Sequence, residues 1–305
     1  MRVLFIGGTG VISSACAQLA VERGLELSVL NRGRSERRLP AAAEVLQADM
    51  RNGAAVRQAL GGRTAQYVFI SSASVYQTPP ALLPVTESTP LHNPYWAYSR
   101  NKIACEERLR RAQQEENFPV TIVRPSHTYD CTLLPMHGQY TVVDRMRTGR
   151  KVIVHGDGTS LWALTHHRDF ARGFVGLLGN PHAIGEVFHL TSDEILTWNQ
   201  IFEIVGQAAG VSPRLVHVPS ELIAAYAPEW GASLLGDKAH SMIFDNSKIK
   251  RVVPDFRATI SFAAGAREIL AWFDAVPARK VVNEETNQLM DRLIAAYESA
   301  WPPSD

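Results

Sequence analysis

Several things are scarce in this chain of 305 residues, and each scarcity removes a class of protein. Only three cysteines are present, Cys16, Cys105 and Cys131, at wide and irregular spacings. That pattern makes neither a disulfide framework nor a metal-binding repeat, and it predicts a reducing cytoplasm. No apolar run approaches the roughly 18 residues that a membrane helix needs. The first strand-like run, ending at Gly7, is too short for the core of a secretion signal, so a soluble intracellular protein is expected. Charge of one sign is also lacking. With 31 basic and 30 acidic residues the formal net charge is +1, which argues against a nucleic-acid partner.

What is present is an ordinary globular mixture, 46% hydrophobic and 20% charged. Val3 to Ile6 is a continuous apolar run closed by Gly7-Gly8, as in a strand buried on both faces. Helical spacing follows over Val11–Arg23, with Gly24 as its stop. Strands are predicted at Leu25–Leu30, Val45–Ala48, Gln66–Ile70 and Val120–Arg124, and helices at Ala54–Leu60 and Tyr95–Gln114. This alternation predicts an α/β fold with a doubly wound parallel sheet and right-handed crossovers. Beyond Pro125 the alternation loosens. Strands are expected at Lys151–Val154, Glu186–Thr191 and Leu215–Val218. Helices are expected at Asp169–Leu178, Asn199–Ala209, Ser220–Tyr226, Phe262–Phe273 and Glu284–Tyr297. Residues 1–125 are therefore expected to form a dinucleotide-binding domain. Residues 126–305 are expected to form mainly a smaller substrate lobe, partly interwoven with the first.

Gly7-Gly8-Thr9-Gly10-Val11-Ile12 lies between the first strand and the first helix. There a glycine turn lets the backbone approach a pyrophosphate at a helix N-terminus. Gly7, Thr9, Gly10, Val11 and Ile12 are thus cofactor-binding candidates, with Ser13 at the usual third glycine. The second strand ends in Asn31-Arg32. An acidic residue there would hold the ribose of NAD, whereas an arginine can pair with the 2′-phosphate of NADP. Arg32, Arg34, Arg37 and Arg38 crowd one loop, either solvated or phosphate-binding, and Asp49 ends the third strand near the expected adenine. Ser72, Tyr98 and Lys102 then form a Ser…Tyr-x-x-x-Lys pattern. The i,i+4 spacing puts phenol and ammonium on one helix face, where the cation can lower the phenol's pKa. Such a tyrosine can move a hydroxyl proton while hydride moves at the same carbon, with Ser72 hydrogen-bonding the carbonyl.

Taken in order, these motifs resemble the extended short-chain dehydrogenase/reductase superfamily, in its NAD-dependent epimerase/dehydratase branch. Ile70 to Tyr76, Tyr98 to Lys102 and Val123-Arg124-Pro125 carry the likeness, with Gly156-Asp157-Gly158 through Asp169 matching the substrate-lobe signature. The resemblance implies catalytic roles for Ser72, Tyr98 and Lys102. It places Ser71, Pro125, Ser126 and His127 beside the nicotinamide and substrate, with Ser74 also lining the substrate. Three departures stand out. Ala73-Ser74 replaces the Asp-Glu pair of sugar-nucleotide dehydratases, which removes the acid and base that water elimination needs. Trp162 replaces the arginine that grips a sugar diphosphate; its ring suits either stacking on a sugar face or core packing, and the expectation turns toward a free sugar, glycoside or polyol ahead of a nucleotide-sugar. Between Asp49 and Phe69 one strand and one helix of the family pattern are missing. The strand Gln66–Ile70 is therefore expected to pair directly beside Val3–Ile6, with weakened dinucleotide affinity.

The first functional reading is an NAD- or NADP-dependent oxidoreductase or epimerase acting on a secondary alcohol of a sugar-like molecule. It would be a monomer or homodimer that binds no nucleic acid or membrane. The alternative is a non-catalytic dinucleotide- or RNA-binding member of the same fold. His127, His137, His155, His166, His167 and His189 have no ligand-set spacing, so no metal is expected. Trp198, Trp230 and Trp272 sit in apolar patterns and read as core.

Overall fold

The computed structural model describes residues 1–32, 37, 39–47 and 64–302. The chain opens with strand β1 (Arg2–Ile6) and helix α1 (Val11–Glu22). α1 stops at Arg23, and Gly24 follows at φ +74°, a left-handed conformation that glycine adopts without strain. β2 (Glu26–Asn31) lies parallel to β1, and β3 (Glu44–Gln47) parallel to β2. β4 (Tyr67–Ile70), helix α2 (Ala97–Glu116) and β5 (Val120–Pro125) then begin the second half of the domain. Every residue of β5 is buried, which is what a continuous run of Val, Ile and Thr achieves with both faces covered.

The remaining chain interleaves short strands with helices. In order come β6 (His127–Tyr129), α3 (Tyr140–Arg147), β7 (Lys151–His155), β8 (Leu161–Trp162) and β9 (Leu164–His166). Next are α4 (His167–Leu177), β10 (Val187–Leu190), β11 (Leu196–Thr197), α5 (Trp198–Ala208) and β12 (Arg214–Val218). α6 (Ser220–Tyr226) and α7 (Pro228–Ser233) lead into a five-residue π turn, Leu234–Lys238. α8 (Ser247–Val252), α9 (Phe262–Ala275) and α10 (Glu284–Glu298) complete the fold. β10 pairs parallel with β5, β12 with β7 and β6 with β9, while β8 and β11 are antiparallel. Among the described residues, no helix is long and apolar enough to cross a membrane.

Two buried clusters hold these layers. One joins Phe5, Ala17, Val29, Val123, Phe170, Phe188 and Ile249, so it draws residues from both sides of Pro125. The other lies among β7, α5, α9 and α10, and includes Ile153, Trp198, Ile201, Phe262 and Leu293.

The pairing expected between β4 and β1 is not formed. β1 bonds to β2 and β4 bonds to β5, so the described strands make two three-stranded parallel sheets, β1-β2-β3 and β4-β5-β10. The helix layer links the two sheets instead. α1 packs along α4, with small residues Ala15, Ala17 and Ala20 buried on α1 and Phe5 meeting Phe174 edge-on at 5.8 Å. Among the described residues this helix pair, rather than strand hydrogen bonds, joins the two sheets. The expected helix at 54–60 and the shortened stretch 50–63 lie outside the described residues.

Candidate active site

The strand-to-helix turn is shaped by glycine. Gly7 sits at φ +112° with nothing within 4 Å of the place where a side chain would start, so the backbone has room beside it. Gly8, at φ +72°, has no such room: a Cβ would lie 2.4 Å from Val29 Cγ1. Helix α1 starts at Val11 with no acidic residue in its first turn, leaving the positive end of its dipole uncompensated. Ser13 does more than replace a small residue, because its hydroxyl accepts a 2.8 Å bond from the Gly10 N–H. Open space at Gly7 and a helix N-terminus free of carboxylates fit the phosphates of a dinucleotide.

Asn31 ends β2 and Arg32 follows it, exposed to solvent, with its carbonyl 3.4 Å from Gln47 Nε2. Arg37 does not point away into water. Its guanidinium reaches Gly10 O at 3.4 Å, Thr132 Oγ1 at 2.5 Å and Asp130 Oδ2 at 2.5 Å. Burial would raise the Asp130 carboxyl, but hydrogen bonds from Thr132 and Arg37 hold it below its ordinary value. Asp49, Arg34 and Arg38 lie outside the described residues.

At the other edge of the crevice, β4 ends in Ser71-Ser72. The Ser71 hydroxyl is buried without a hydrogen-bond partner among the described residues. Ser72 caps a short 3-10 turn, Ala73–Val75, by accepting from Ser74 N, and its hydroxyl is near enough to the Tyr98 phenol to favour that group's ionised form. Ser74 is 3% exposed and stands behind Ser72, its hydroxyl joined to Ser72 Oγ at 2.9 Å and Ser99 Oγ at 2.8 Å. Tyr98, on the first turn of α2, keeps 43% of its surface exposed. Lys102 is one turn further, yet its ammonium donates to Ile70 O at 2.8 Å and stands 5.8 Å from the Tyr98 ring centre. Burial raises the Tyr98 phenol above its usual range; the Ser72 hydroxyl opposes this and the Asp237 carboxylate adds to it. Burial likewise lowers Lys102, against the pull of Cys105 and Glu106.

Behind α2, Arg124 of β5 makes a bidentate pair with Glu106 at 2.9 and 2.5 Å, both side chains fully buried. Arg124 also lies over the Tyr76 ring at 4.7 Å. Desolvation of such a pair is costly, but the fork geometry fixes α2 against β5 and so fixes where Tyr98 stands. Pro125, ending β5, is buried as well.

The second wall is aromatic. A cavity of about 220 Å³ is lined by His127, His137, His155, Trp198, Trp230 and Lys238, among others. Trp162 is not on that surface: it is 3% exposed and donates from Nε1 to His127 Nδ1 at 3.3 Å, packed beside Trp198 at 5.8 Å. Trp198 and Trp230 line the cavity instead; Trp198 belongs to the buried core, as its apolar pattern predicts, and Trp230 packs against that core. Trp230 stacks flat on His137, with ring centres 4.2 Å apart. Trp198 is 2% exposed, and its indole N–H has no partner among the described residues. Burial followed by the Lys238 charge pushes His127 down to about 3, so its imidazole is neutral at physiological pH. Burial also lowers His155, to about 4, although the Lys238 carbonyl holds its Nε2 at 2.9 Å. Lys238 sits 5.4 Å above the Trp96 ring, which leans on Tyr98 at 4.9 Å, so cavity and tyrosine share a wall.

Comparison with known proteins agrees with this geometry. The model of the NAD dependent epimerase/dehydratase family matches residues 58–190. Among curated relatives, the 2'-dehydrokanamycin reductase of Streptomyces kanamyceticus is 27% identical over 195 residues, 62% of this chain and 54% of that protein. The chloroplast stem-loop binding protein of 41 kDa b from Arabidopsis thaliana is 24% identical over 260 residues, 71% of this chain and 65% of that one. The chain thus spans about half to two thirds of the length of these relatives. Among solved structures, the UDP-glucuronic acid 4-epimerase of Bacillus cereus, with UDP-glucuronic acid and NAD, superposes at TM-score 0.72 and 17% identity. The superposition covers 90% of this chain and 99% of that one. The UDP-glucose 4-epimerase of Thermus thermophilus with NAD gives 0.69 and 18% identity, over 90% of this chain and 100% of that one. At these identities the superpositions speak for the fold, a Rossmann-type α/β fold. The motif order in the sequence and the family match point the same way: over residues 58–190 the chain is similar to the NAD dependent epimerase/dehydratase family.

Proposed function

We propose that this chain is an NAD(P)-dependent oxidoreductase or epimerase that acts on a secondary alcohol, or the matching ketone, of a sugar or glycoside. The observation that carries the reading is the meeting of the Ser72 hydroxyl and the Tyr98 phenol at the end of β4, beside the aromatic cavity. In this reading Tyr98 gives or takes the proton at the reacting oxygen, and Ser72 donates a hydrogen bond to that oxygen. Lys102, held by Ile70 O, is one turn from the phenol and stabilises its ionised form. A bound nicotinamide supplies the hydride chemistry. Gly7, Thr9, Gly10, Val11 and Ile12 hold the phosphates, Asn31 and Arg32 meet the adenosine ribose, and Ser71 and Pro125 flank the nicotinamide. Residues 1–125 serve the cofactor and residues 126–305 mainly the substrate.

The cavity supports a glycoside over a diphosphate-linked sugar. Its ring-shaped walls, Trp198 and Trp230, suit the apolar face of a sugar, and the Trp198 N–H offers one hydrogen bond to a hydroxyl or carbonyl. The Streptomyces relative is named a 2'-dehydrokanamycin reductase, and that name supports a glycoside here. Three unpaired cysteines fit a cytoplasmic enzyme. The test couples binding to turnover. NAD, NADH, NADP and NADPH are titrated against tryptophan fluorescence, and a panel of keto-sugars and keto-aminoglycosides is assayed by nicotinamide absorbance. Saturable dinucleotide binding and turnover that falls about 10²–10⁴-fold in Tyr98→Phe are expected. A Tyr98→Phe variant with full activity removes this mechanism, and the absence of any dinucleotide binding removes the reading.

A further inference from the structure

The π turn Leu234–Lys238 lies outside the phosphate loop and the Ser–Tyr–Lys set, yet it is held from both sides of the crevice. Asn93 Nδ2 donates to Gly236 O at 2.6 Å and to Ser74 O at 2.9 Å, which ties the turn to the segment that carries Ser72. From the other lobe, His155 Nε2 and Ser160 Oγ both bond Lys238 O at 2.9 Å. The last residue of the turn is thus fixed through its backbone, which leaves its side chain for other work. Lys238 is one of the residues that line the aromatic cavity. Its ammonium stands 3.5 Å from the carbonyl of Ser233, another lining residue, and 5.4 Å over the Trp96 ring. Its charge bears on His127, His137 and His155, which line the same cavity. Burial holds all three histidines below their ordinary value, so near neutral pH Lys238 is the cation of this wall.

We infer that Lys238 is a specificity-determining residue whose ammonium receives a carboxylate carried by the sugar, so that the cavity takes an acidic sugar or its glycoside ahead of an aminoglycoside. The inference rests on reading this cavity as the substrate side of the Tyr98 site, and it names the substrate class. An ammonium has three protons to donate and accepts none. The Lys238 side chain is only 18% exposed, yet its acceptors stand far off, Ser233 O at 3.5 Å and the Asp237 carboxylate at 3.6 Å. A charge-assisted bond runs about 2.7–2.9 Å. The short bond is left unmade, and a largely buried charge without one is costly. A carboxylate entering the cavity supplies it. The rest of the wall agrees. Among the described residues no Asp or Glu lines the cavity, so an amine entering it meets Lys238 with no lining carboxylate to receive it. Trp198 and Trp230 offer ring faces to a sugar, and the Trp198 indole N–H, in a side chain 2% exposed, has no partner among the described residues. Ammonium for carboxylate, rings for the sugar face and indole N–H for a hydroxyl make one complementary set. Trp96, under Lys238, packs on Tyr98 at 4.9 Å, so a sugar anchored at Lys238 lies on the phenol's side of the cavity.

The test reads binding and needs no turnover. Three phenyl β-D-glucosides are compared that are identical except at the sixth carbon, which carries a carboxylate, a hydroxymethyl or an aminomethyl group. Their dissociation constants are measured by calorimetry on the full chain, with and without excess NAD. The carboxylate probe should bind about ten- to hundredfold tighter than the hydroxymethyl probe, the range of one hydrogen bond to a charged group. The aminomethyl probe should bind most weakly. In Lys238→Met the carboxylate and hydroxymethyl probes should bind alike, whereas Lys238→Arg, which keeps the cation, should retain the preference. A loosened turn would weaken all the probes together, so loss of the carboxylate advantage alone identifies charge as the cause. No binding of the carboxylate probe, equal affinities in the wild type, or a preference that persists in Lys238→Met overturns the inference. Activity surviving in Tyr98→Phe would instead remove the proposed reaction and leave this binding preference standing.

Discussion

The two three-stranded sheets of this molecule are built from similar residues but treated differently by the rest of the chain. In β1-β2-β3, Leu4, Ile6, Val45 and Leu46 are all more than a third exposed, and no residue of β3 is buried. In β4-β5-β10, all six residues of β5 and three of four in β10 are buried, and the ion pair of Arg124 with Glu106 lies in full desolvation behind α2. The first sheet carries the glycine turn, whose proposed work is done by backbone. The second carries Ser72 and supports Tyr98, whose proposed chemistry would need side chains fixed to a fraction of an ångström. The difference shows where burial is concentrated: on the half that holds the proposed reacting groups.

The comparison breaks most sharply at Arg124. Removing one partner of a buried pair leaves an uncompensated charge, so Arg124→Ala should cost about 3–5 kcal/mol in urea unfolding. A loss under about 1 kcal/mol would show that the second sheet is not held from within. Gly8→Ala tests the first sheet. Its Cβ would stand 2.4 Å from Val29 Cγ1, so overpacking should cost about 1–3 kcal/mol, with dinucleotide affinity falling alongside. Stability unchanged in that variant would mean that β1 and β2 separate freely, which would widen the contrast between the sheets. Arg32→Ala should leave stability untouched, because the residue is exposed, while weakening NADP relative to NAD by about 1.5–3 kcal/mol. Equal losses for both dinucleotides would assign Arg32 to solvent.

The cavity side gives a pH signature. His155 titrates near 4 in the folded chain, and His127 near 3, against an ordinary value of 6.5. Between about pH 6.5 and 4 the unfolded state therefore binds more protons than the folded state, and stability falls as pH drops through that window. The urea midpoint should decline from about pH 7 to about 4.5, and less steeply in His155→Gln. Equal slopes would mean that His155 is protonated inside the fold. The smallest effect expected is in hydrogen exchange, where amides of β1 to β3 should exchange faster than those of β5 and β10. Equal protection would erase the contrast.

Much of this arrangement was legible in the chain itself, and for local reasons. β1, α1 and β2 announce themselves by apolar periodicity ending in glycine, and α6 falls on Ser220–Tyr226 as its pattern predicts. Other parts gave no such signal. α3 follows Gln139 at φ +50° and is only eight residues long, too short for a periodic pattern to separate from a loop. The π turn has no sequence signature of its own. Trp162 and Trp198 look alike as aromatic residues among apolar ones, and only packing decides that one donates to His127 in the interior while the other faces the cavity.

By itself, then, the sequence determined the glycine turn and the placing of Tyr98 and Lys102 one helical turn apart. Those depend on φ angles and on a repeat of about 3.6 residues, which are local properties. Tertiary structure alone decided that Lys102 reaches Ile70 O, that Arg37 crosses to Asp130, and that β4 stays away from β1. It also brought Lys238 over the Trp96 ring from 142 positions further along the chain. Such contacts depend on how helices and sheets of different segments fill space together, and residue spacing along a chain carries no record of that.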